Sequence, residues 1–189
     1  MSYGEIRNKF IKKICGVFMK LKLLIIITFL FNSTLTHCQE NSNHWDKFNY
    51  LIGNWQGEGS GDPGKGEGYF SFKLDLDNKI LIRNSHSEYP AVKDKPLIIH
   101  DDLMIVYLNY SGKPERAIYF DNEGHVINYS ITFSDSNDIV FTSDIVPKFP
   151  IFKLTYSKIE NDLLNTKFEI SQDGKNYITY VEGKSKRQK

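Results

Sequence analysis

Three histidines in the middle of the chain, His86, His100 and His125, are the side chains best suited to bind a ligand or a metal ion. Imidazole nitrogens donate and accept hydrogen bonds, and they ligate transition metals. Carboxylates and tyrosines occur where an alternating strand would place them on the same face as a histidine, or opposite one. The candidate cavity residues are therefore His86, Glu88, His100, Asp102, Tyr119, His125 and Tyr129. Taken singly, each histidine is explained better by a hydrogen-bonded role at a rim or in the core than by ligand or metal binding.

No catalytic motif accompanies these residues. The sequence has no HExxH or GxSxG motif, and no order of Ser, His and Asp that suggests a catalytic triad. Asp101 and Asp102 would point to opposite faces of a strand, so they cannot act together as general acid and base. The sequence predicts no catalytic residue and no metal site. It favours a non-enzymatic role and leaves an enzyme open as an alternative.

A glycine-rich run, residues 59–64, matches GxGxxG and nearly matches a phosphate-binding loop. Both phosphate-binding motifs need a helix to follow, because its N-terminus holds the phosphates. The residues that follow here, Tyr69–Phe72, alternate as a strand does. We therefore expect a flexible hairpin loop at the rim of a sheet.

The first 38 residues have the layout of a secretory signal peptide. A short basic segment beginning at Met19, a possible true start, leads into the apolar run Leu23–Phe31. That run is shorter than the roughly 20 residues a membrane-spanning helix needs, although a retained anchor is the alternative. We expect export to the periplasm or the exterior. Residues 35–38 also resemble a lipoprotein box, which would attach the protein to a membrane through Cys38.

Charge and cysteine content limit the partners of the remaining single domain, residues 39–189. Both cysteines, Cys15 and Cys38, lie in or at the edge of the signal region, so the domain has no disulfide. It contains 18 Lys and Arg against 22 Asp and Glu, a net charge of −4. No basic patch is present, and we do not expect nucleic acid as a partner. The oligomeric state is left open.

The domain reads as one short helix followed by about ten strands. Trp45, Phe48 and Ile52 recur at helical spacing, with Ser42 or Asn43 as a possible cap and Gly53 as the end. Alternating stretches with short polar turns follow. Ten antiparallel strands could form a sandwich, but the strict hairpin order favours an up-and-down barrel. The expected strands span residues 55–59, 67–76, 80–88, 98–110, 116–120, 125–133, 138–145, 151–158, 163–171 and 176–183.

The motif Gly53-Asn54-Trp55 after the predicted helix resembles the signature of the calycin and lipocalin families. The longer run 51–59 is similar to the opening of the nitrobindin-like group, a ten-stranded barrel of that type. The resemblance implies that Trp55 closes one barrel end and that a basic residue of the last strand packs on it. Lys184, Lys186 and Arg187 are candidates, and we assign structural roles to Gly53, Trp55 and Arg187.

Nitrobindin-like proteins bind haem through a histidine late in the chain, and this sequence has no histidine after His125. We therefore predict no cofactor; a haem would require His86, His100 or His125 as its ligand instead. The favoured hypothesis is an exported, non-catalytic carrier or sensor of a small, largely apolar molecule. The alternatives are a haem-binding protein or enzyme of nitrobindin type, and an envelope protein whose filled barrel binds a partner.

Overall fold

The computed structural model describes residues 44–93, 95–136 and 138–189. The predicted signal region 1–38, the possible start at Met19, both cysteines and the proposed caps Ser42 and Asn43 lie outside the described residues. No helix among the described residues is long and apolar enough to cross a bilayer.

Ten antiparallel strands form a closed barrel, as the sequence predicts. Each strand pairs with its neighbours in the chain, and the first strand closes the barrel by pairing with the last. The strands are β1 (Gly53–Gly61), β2 (Gly64–Asp75), β3 (Ile80–Tyr89), β4 (Ile98–Tyr107), β5 (Arg116–Asp121), β6 (Val126–Phe133), β7 (Ile139–Ser143), β8 (Ile151–Glu160), β9 (Leu163–Ser171) and β10 (Ile178–Arg187).

Local hydrogen bonds explain where the strand ends differ from prediction. Strand β4 stops at Tyr107 because Asn109 starts a turn, in which its Oδ1 accepts hydrogen bonds from the amides of Ser111 and Lys113. Strand β10 continues to Arg187 because it pairs with β1 as far as Trp55. The glycine-rich run belongs mostly to β1 and β2, which pair from Gly61 opposite Gly64 onward as a hairpin. The predicted hairpin is therefore present, but most of its residues are strand.

The predicted N-terminal helix is a single 3-10 turn, Asp46–Phe48. Trp45 precedes the turn at the N-cap position and makes no side-chain capping bond there. The turn nevertheless buries Trp45, Phe48 and Leu51 completely or nearly so. Together with Trp55 they close one end of the barrel.

Arg187 links this closed end to the last strand. Its guanidinium lies 4.2 Å from the ring centroid of Trp55 and donates hydrogen bonds to the carbonyls of Ile52 (2.6 Å) and Tyr50 (2.8 Å). Gly53 makes room for it, since a Cβ at that position would lie 2.6 Å from Arg187 Nη1. Gly53 also has a φ of +131°, which side chains rarely adopt. Gly53, Trp55 and Arg187 therefore form one unit.

Side chains that point inward fill only the closed half of the barrel. Phe72, Leu81, Met104, Phe141 and Tyr156 are fully buried there. Their aromatic rings meet edge to face, with Phe72 and Tyr156 centroids 5.4 Å apart. The packed core ends at this layer.

Candidate ligand-binding cavity

The other half of the barrel contains a cavity of about 660 Å³. Its apolar wall comes from β2, β6, β8 and β9, the strands that supply large inward side chains. These side chains are Phe70, Ile127, Phe152, Leu154, Phe168 and Ile170. The volume lies within the range of about 300–1,000 Å³ found for small-molecule sites.

A glycine-lined arc makes up the wall on the side of β1, β2 and β10. Gly57, Gly59, Gly66, Gly68 and Gly183 line the cavity where larger residues would fill it. The neighbouring strands approach so closely that a Cβ on Gly57 would lie 2.3 Å from the Lys184 carbonyl oxygen. The glycines of β1, β2 and β10 thus leave space inside the barrel, and Gly59 is the one glycine of the run 59–64 that lines it.

A buried ion pair forms the floor of the cavity. Arg83 donates from Nη1 to Asp102 Oδ1, and only 9% and 5% of the two side chains is exposed. Burial disfavours the charged form of Arg83, but Asp102 and nearby tyrosines outweigh it, so the pKa of Arg83 lies above its ordinary value. Burial raises the pKa of Asp102, against the opposing effect of Arg83 and His100. The guanidinium therefore stays charged beside its carboxylate partner.

Three polar atoms near the floor are buried and make no hydrogen bond of ordinary geometry among the described residues: Arg83 Nε, Tyr156 Oη and Thr166 Oγ1. Burial raises the pKa of Tyr156 to about 12, whereas the charge of Arg83 and a hydrogen-bonding interaction with that side chain lower it. All three atoms are closed off from solvent, so a molecule in the cavity contacts them only if neighbouring side chains move.

His100 connects the floor to the mouth of the cavity. Its Nε2 is 2.8 Å from the Tyr119 hydroxyl and 3.7 Å from Asp102 Oδ2, and its Nδ1 is 3.2 Å from Glu123 Oε1. The Tyr119 ring meets the Tyr129 ring edge to face at 6.2 Å. Burial raises the pKa of both tyrosines, so both are neutral donors at neutral pH. His100, Asp102, Tyr119 and Tyr129 thus lie together, as the sequence analysis grouped them.

His125 lies at the mouth. Its Nδ1 is 2.8 Å from Asp121 Oδ2, and 58% of its side chain is exposed. Asp121 also accepts hydrogen bonds from the amides of Glu123 and His125, which fixes the β5–β6 turn. These bonds lower the pKa of Asp121 against the opposing effect of burial. His125 can therefore contact only a ligand that reaches the rim.

Two proposed cavity residues, His86 and Glu88, belong to the outer surface. His86 stacks on the exposed Tyr69 ring at 5.0 Å and bonds Asp101 (2.6 Å) and Glu88 (3.0 Å). Arg83 points inward and side chains alternate along the strand, so the even-numbered positions of β3 face outward, and the His86 ring only borders the cavity. A ligand contact for His86 or Glu88 stays a prediction. Asp101 and Asp102 do point to opposite faces, since 55% of the Asp101 side chain is exposed against 5% for Asp102.

Arg83, Tyr156 and Thr166 were not among the predicted site residues. Arg83 could have been found because it shares a strand face with Leu81 and Ser85, and a lone arginine on an apolar face needs a buried partner. The pairing of Arg83 with Asp102 depends on the register of β3 and β4. No sequence pattern specifies that register.

The three histidines differ in how their ring nitrogens are engaged. Both ring nitrogens of His100 meet side-chain oxygens, and His86 points outward and bonds Asp101. His125 lies at the rim, where its Nδ1 bonds Asp121. The absence of a haem cofactor stays a prediction. Among the described residues, no group of three His, Cys, Asp or Glu side chains is placed to hold a metal ion.

Solved structures include proteins whose fold is similar to that of this chain. Rv2717c from M. tuberculosis superposes with a TM-score of 0.54 and 13% identity, over 78% of this chain and 99% of that chain. The S-type phycobiliprotein lyase CPES from Guillardia theta gives a TM-score of 0.47 and 11% identity, over 75% and 90% of the two chains. At 13% identity, the likeness to Rv2717c shows a shared fold alone. No protein-family model matches the chain, and no curated protein matches it in sequence. Membership of the nitrobindin-like group stays a prediction.

Proposed function

We propose that the protein is an exported, non-catalytic carrier or sensor that binds a small, largely apolar molecule inside its barrel. The observation that carries this proposal is the cavity of about 660 Å³ walled by aromatic and aliphatic side chains. Apolar walls with a few polar groups are typical of small-molecule sites. The support for export comes from the signal-like residues 1–38.

The same cavity weighs against the alternatives. A protein that binds its partners through a filled barrel has no need of this volume, which costs packing energy when it is unfilled. A haem ligand has less support, because both ring nitrogens of His100 meet side-chain oxygens and His125 lies at the rim and not inside the cavity. The ligand would lie with its apolar body on Phe152, Leu154 and Phe168 and its polar end toward Arg83.

Titration with the neutral fluorescent dye N-phenyl-1-naphthylamine tests this proposal. We expect saturable one-to-one binding with enhanced emission, since the cavity removes the dye from water. The variant Ile170→Trp should abolish binding by filling the cavity. Val126→Trp is the control, because Val126 is 60% exposed and lies on the strand face opposite to that of the cavity residue Ile127. No binding to the wild-type protein, or equal binding to both variants, would refute a ligand site in the barrel.

A further inference from the structure

The charge of the cavity wall restricts the ligand further. Arg83 is the only Lys or Arg among the described residues that line the cavity. Three carboxylate residues line its interior or its mouth, Asp102, Asp121 and Glu123. Glu58 and Glu67 alternate with the inward glycines of β1 and β2, and their exposed side chains only border the cavity. A ligand that enters therefore passes acidic groups at the mouth before it reaches the floor.

The positive charge at the floor is already neutralised. Asp102 accepts from Arg83 Nη1 inside the barrel, and both side chains are more than nine-tenths buried. A second carboxylate brought to Arg83 would lie close to Asp102, and like charges repel strongly away from water. The floor is thus poorly suited to an anion.

The hydrogen-bonding capacity of the floor remains. Arg83 lines the cavity, and its guanidinium can donate hydrogen bonds but cannot accept them. A ligand that forms a hydrogen bond with Arg83 must therefore supply an acceptor atom. An ammonium group has no acceptor and would also face the guanidinium, and a pure hydrocarbon has no acceptor either.

We propose that the ligand is an uncharged amphiphile whose polar end is an acceptor oxygen, such as a hydroxyl or carbonyl, held at Arg83, and that the cavity discriminates against fatty-acid-like carboxylates. This inference rests on the proposed function and names the chemical class of its ligand. Asp102 sets the discrimination, because it supplies the negative charge that an anionic head would meet.

Competition against N-phenyl-1-naphthylamine tests the inference with three compounds that share a ten-carbon chain. They are 1-decanol, decanoate and decyltrimethylammonium, each used below its aggregation concentration at pH 7.5. We expect 1-decanol to displace the dye with an affinity at least about tenfold higher than either ion. Decanoate binding as tightly as decanol, or more tightly, would overturn the inference while leaving a ligand-binding barrel intact. Failure of the dye itself to bind would refute the proposed function instead.

The nearly isosteric variant Asp102→Asn tests the cause of the discrimination. Removing this charge should raise the affinity for decanoate about tenfold or more and change the affinity for decanol little. Asp144→Asn is the control, since Asp144 pairs with Arg116 on the exposed surface and should leave both affinities unchanged. An unchanged preference in folded Asp102→Asn would contradict the role of Asp102. If that variant does not fold, the order of the three affinities in the wild-type protein decides the inference alone.

Discussion

The guanidinium of Arg187 lies over the indole ring of Trp55, with 4.2 Å between its central carbon and the ring centroid. The same group donates to two main-chain carbonyls that precede β1. One side chain of the last strand thus holds the segment that closes the barrel. A cation on an aromatic face, together with charge-assisted hydrogen bonds, stabilises a fold more than an ordinary surface contact does.

Replacing Arg187 should therefore destabilise the barrel markedly. We expect Arg187→Ala to lower the free energy of unfolding by about 2–4 kcal/mol, the sum of the cation–π contact and the lost hydrogen bonds. Arg187→Lys should lower the free energy of unfolding by less, because lysine keeps the positive charge although it lacks the planar guanidinium that donates to both carbonyls. Urea unfolding followed by circular dichroism measures both. The exposed neighbour Lys186→Ala should change stability by no more than about 0.5 kcal/mol. Equal losses for the alanine variants of Arg187 and Lys186 would contradict this role.

The Arg83–Asp102 pair should show strong energetic coupling. Arg83→Met leaves a buried carboxylate without its partner, which should cost about 3–5 kcal/mol in unfolding free energy. The double variant Arg83→Met/Asp102→Asn should lose clearly less than the two single losses added together. Denaturant unfolding of the complete mutant cycle gives the coupling energy. The exposed Arg116–Asp144 pair is the comparison, and breaking it should cost about 0.2–1 kcal/mol. Additive losses at the buried pair would rule the coupling out.

The imidazole of His86 should have a pKa above that of an ordinary histidine. Its hydrogen bond to Asp101 and then that to Glu88 raise its pKa from the model-peptide value near 6.5. The stabilisation that this proton provides is fully present below the unfolded pKa and is lost as the pH rises through the folded pKa. Nuclear magnetic resonance titration of the imidazole measures the shift directly. Asp101→Asn should move the pKa back toward 6.5, whereas Asp75→Asn, on the exposed end of β2, should leave it unchanged. A pKa of 6.5 or below in the wild-type protein would contradict this.

Adding a methyl group to the glycine-lined arc should disturb the barrel. A Cβ at Gly57 would lie 2.3 Å from both the Lys184 carbonyl oxygen and Ser185 Oγ, so the β1–β10 pairing must shift. We expect Gly57→Ala to cost about 1–3 kcal/mol, as overpacking usually does. Thermal unfolding measures this loss. Ser60→Ala, at an exposed position of the same strand, should change the free energy of unfolding by no more than about 0.5 kcal/mol. An equally small change for Gly57→Ala would contradict the prediction, because it would mean that β1 and β10 can move apart at little cost.

Sequence reasoning reached the fold because strand alternation and short polar turns leave few other solutions. Phe70 and Phe72 alternate with Tyr69 and Ser71, and the structure buries the first pair in the barrel. The helix was overestimated, because periodicity at Trp45 and Phe48 reports which residues are buried and does not show how many turns form. Strand ends differ from the predicted ones where a side chain starts a turn, as Asn109 does by accepting a hydrogen bond from the amide of Ser111.

The site was only partly predictable for a different reason. His100, Asp102, Tyr119 and Tyr129 were grouped from their strand positions, and they do lie together. The structure directs the His86 side chain outward, because Arg83 and Leu81 occupy the face of β3 that enters the barrel. Whether an inward arginine meets a carboxylate depends on the register between neighbouring strands, which the local sequence does not determine.

The pairing of β1 with β10 also constrains how the protein is made. Ile52 and Arg187, which meet at the barrel end, are 135 residues apart in sequence. Until β10 arrives, nine strands can form only an open sheet with two unpaired edges, the arrangement most prone to join another chain. Contacts this distant slow folding, since a long loop must close before they form. A chain that lacks β10 would therefore expose its future cavity wall as an apolar sheet face, and it would be prone to aggregate.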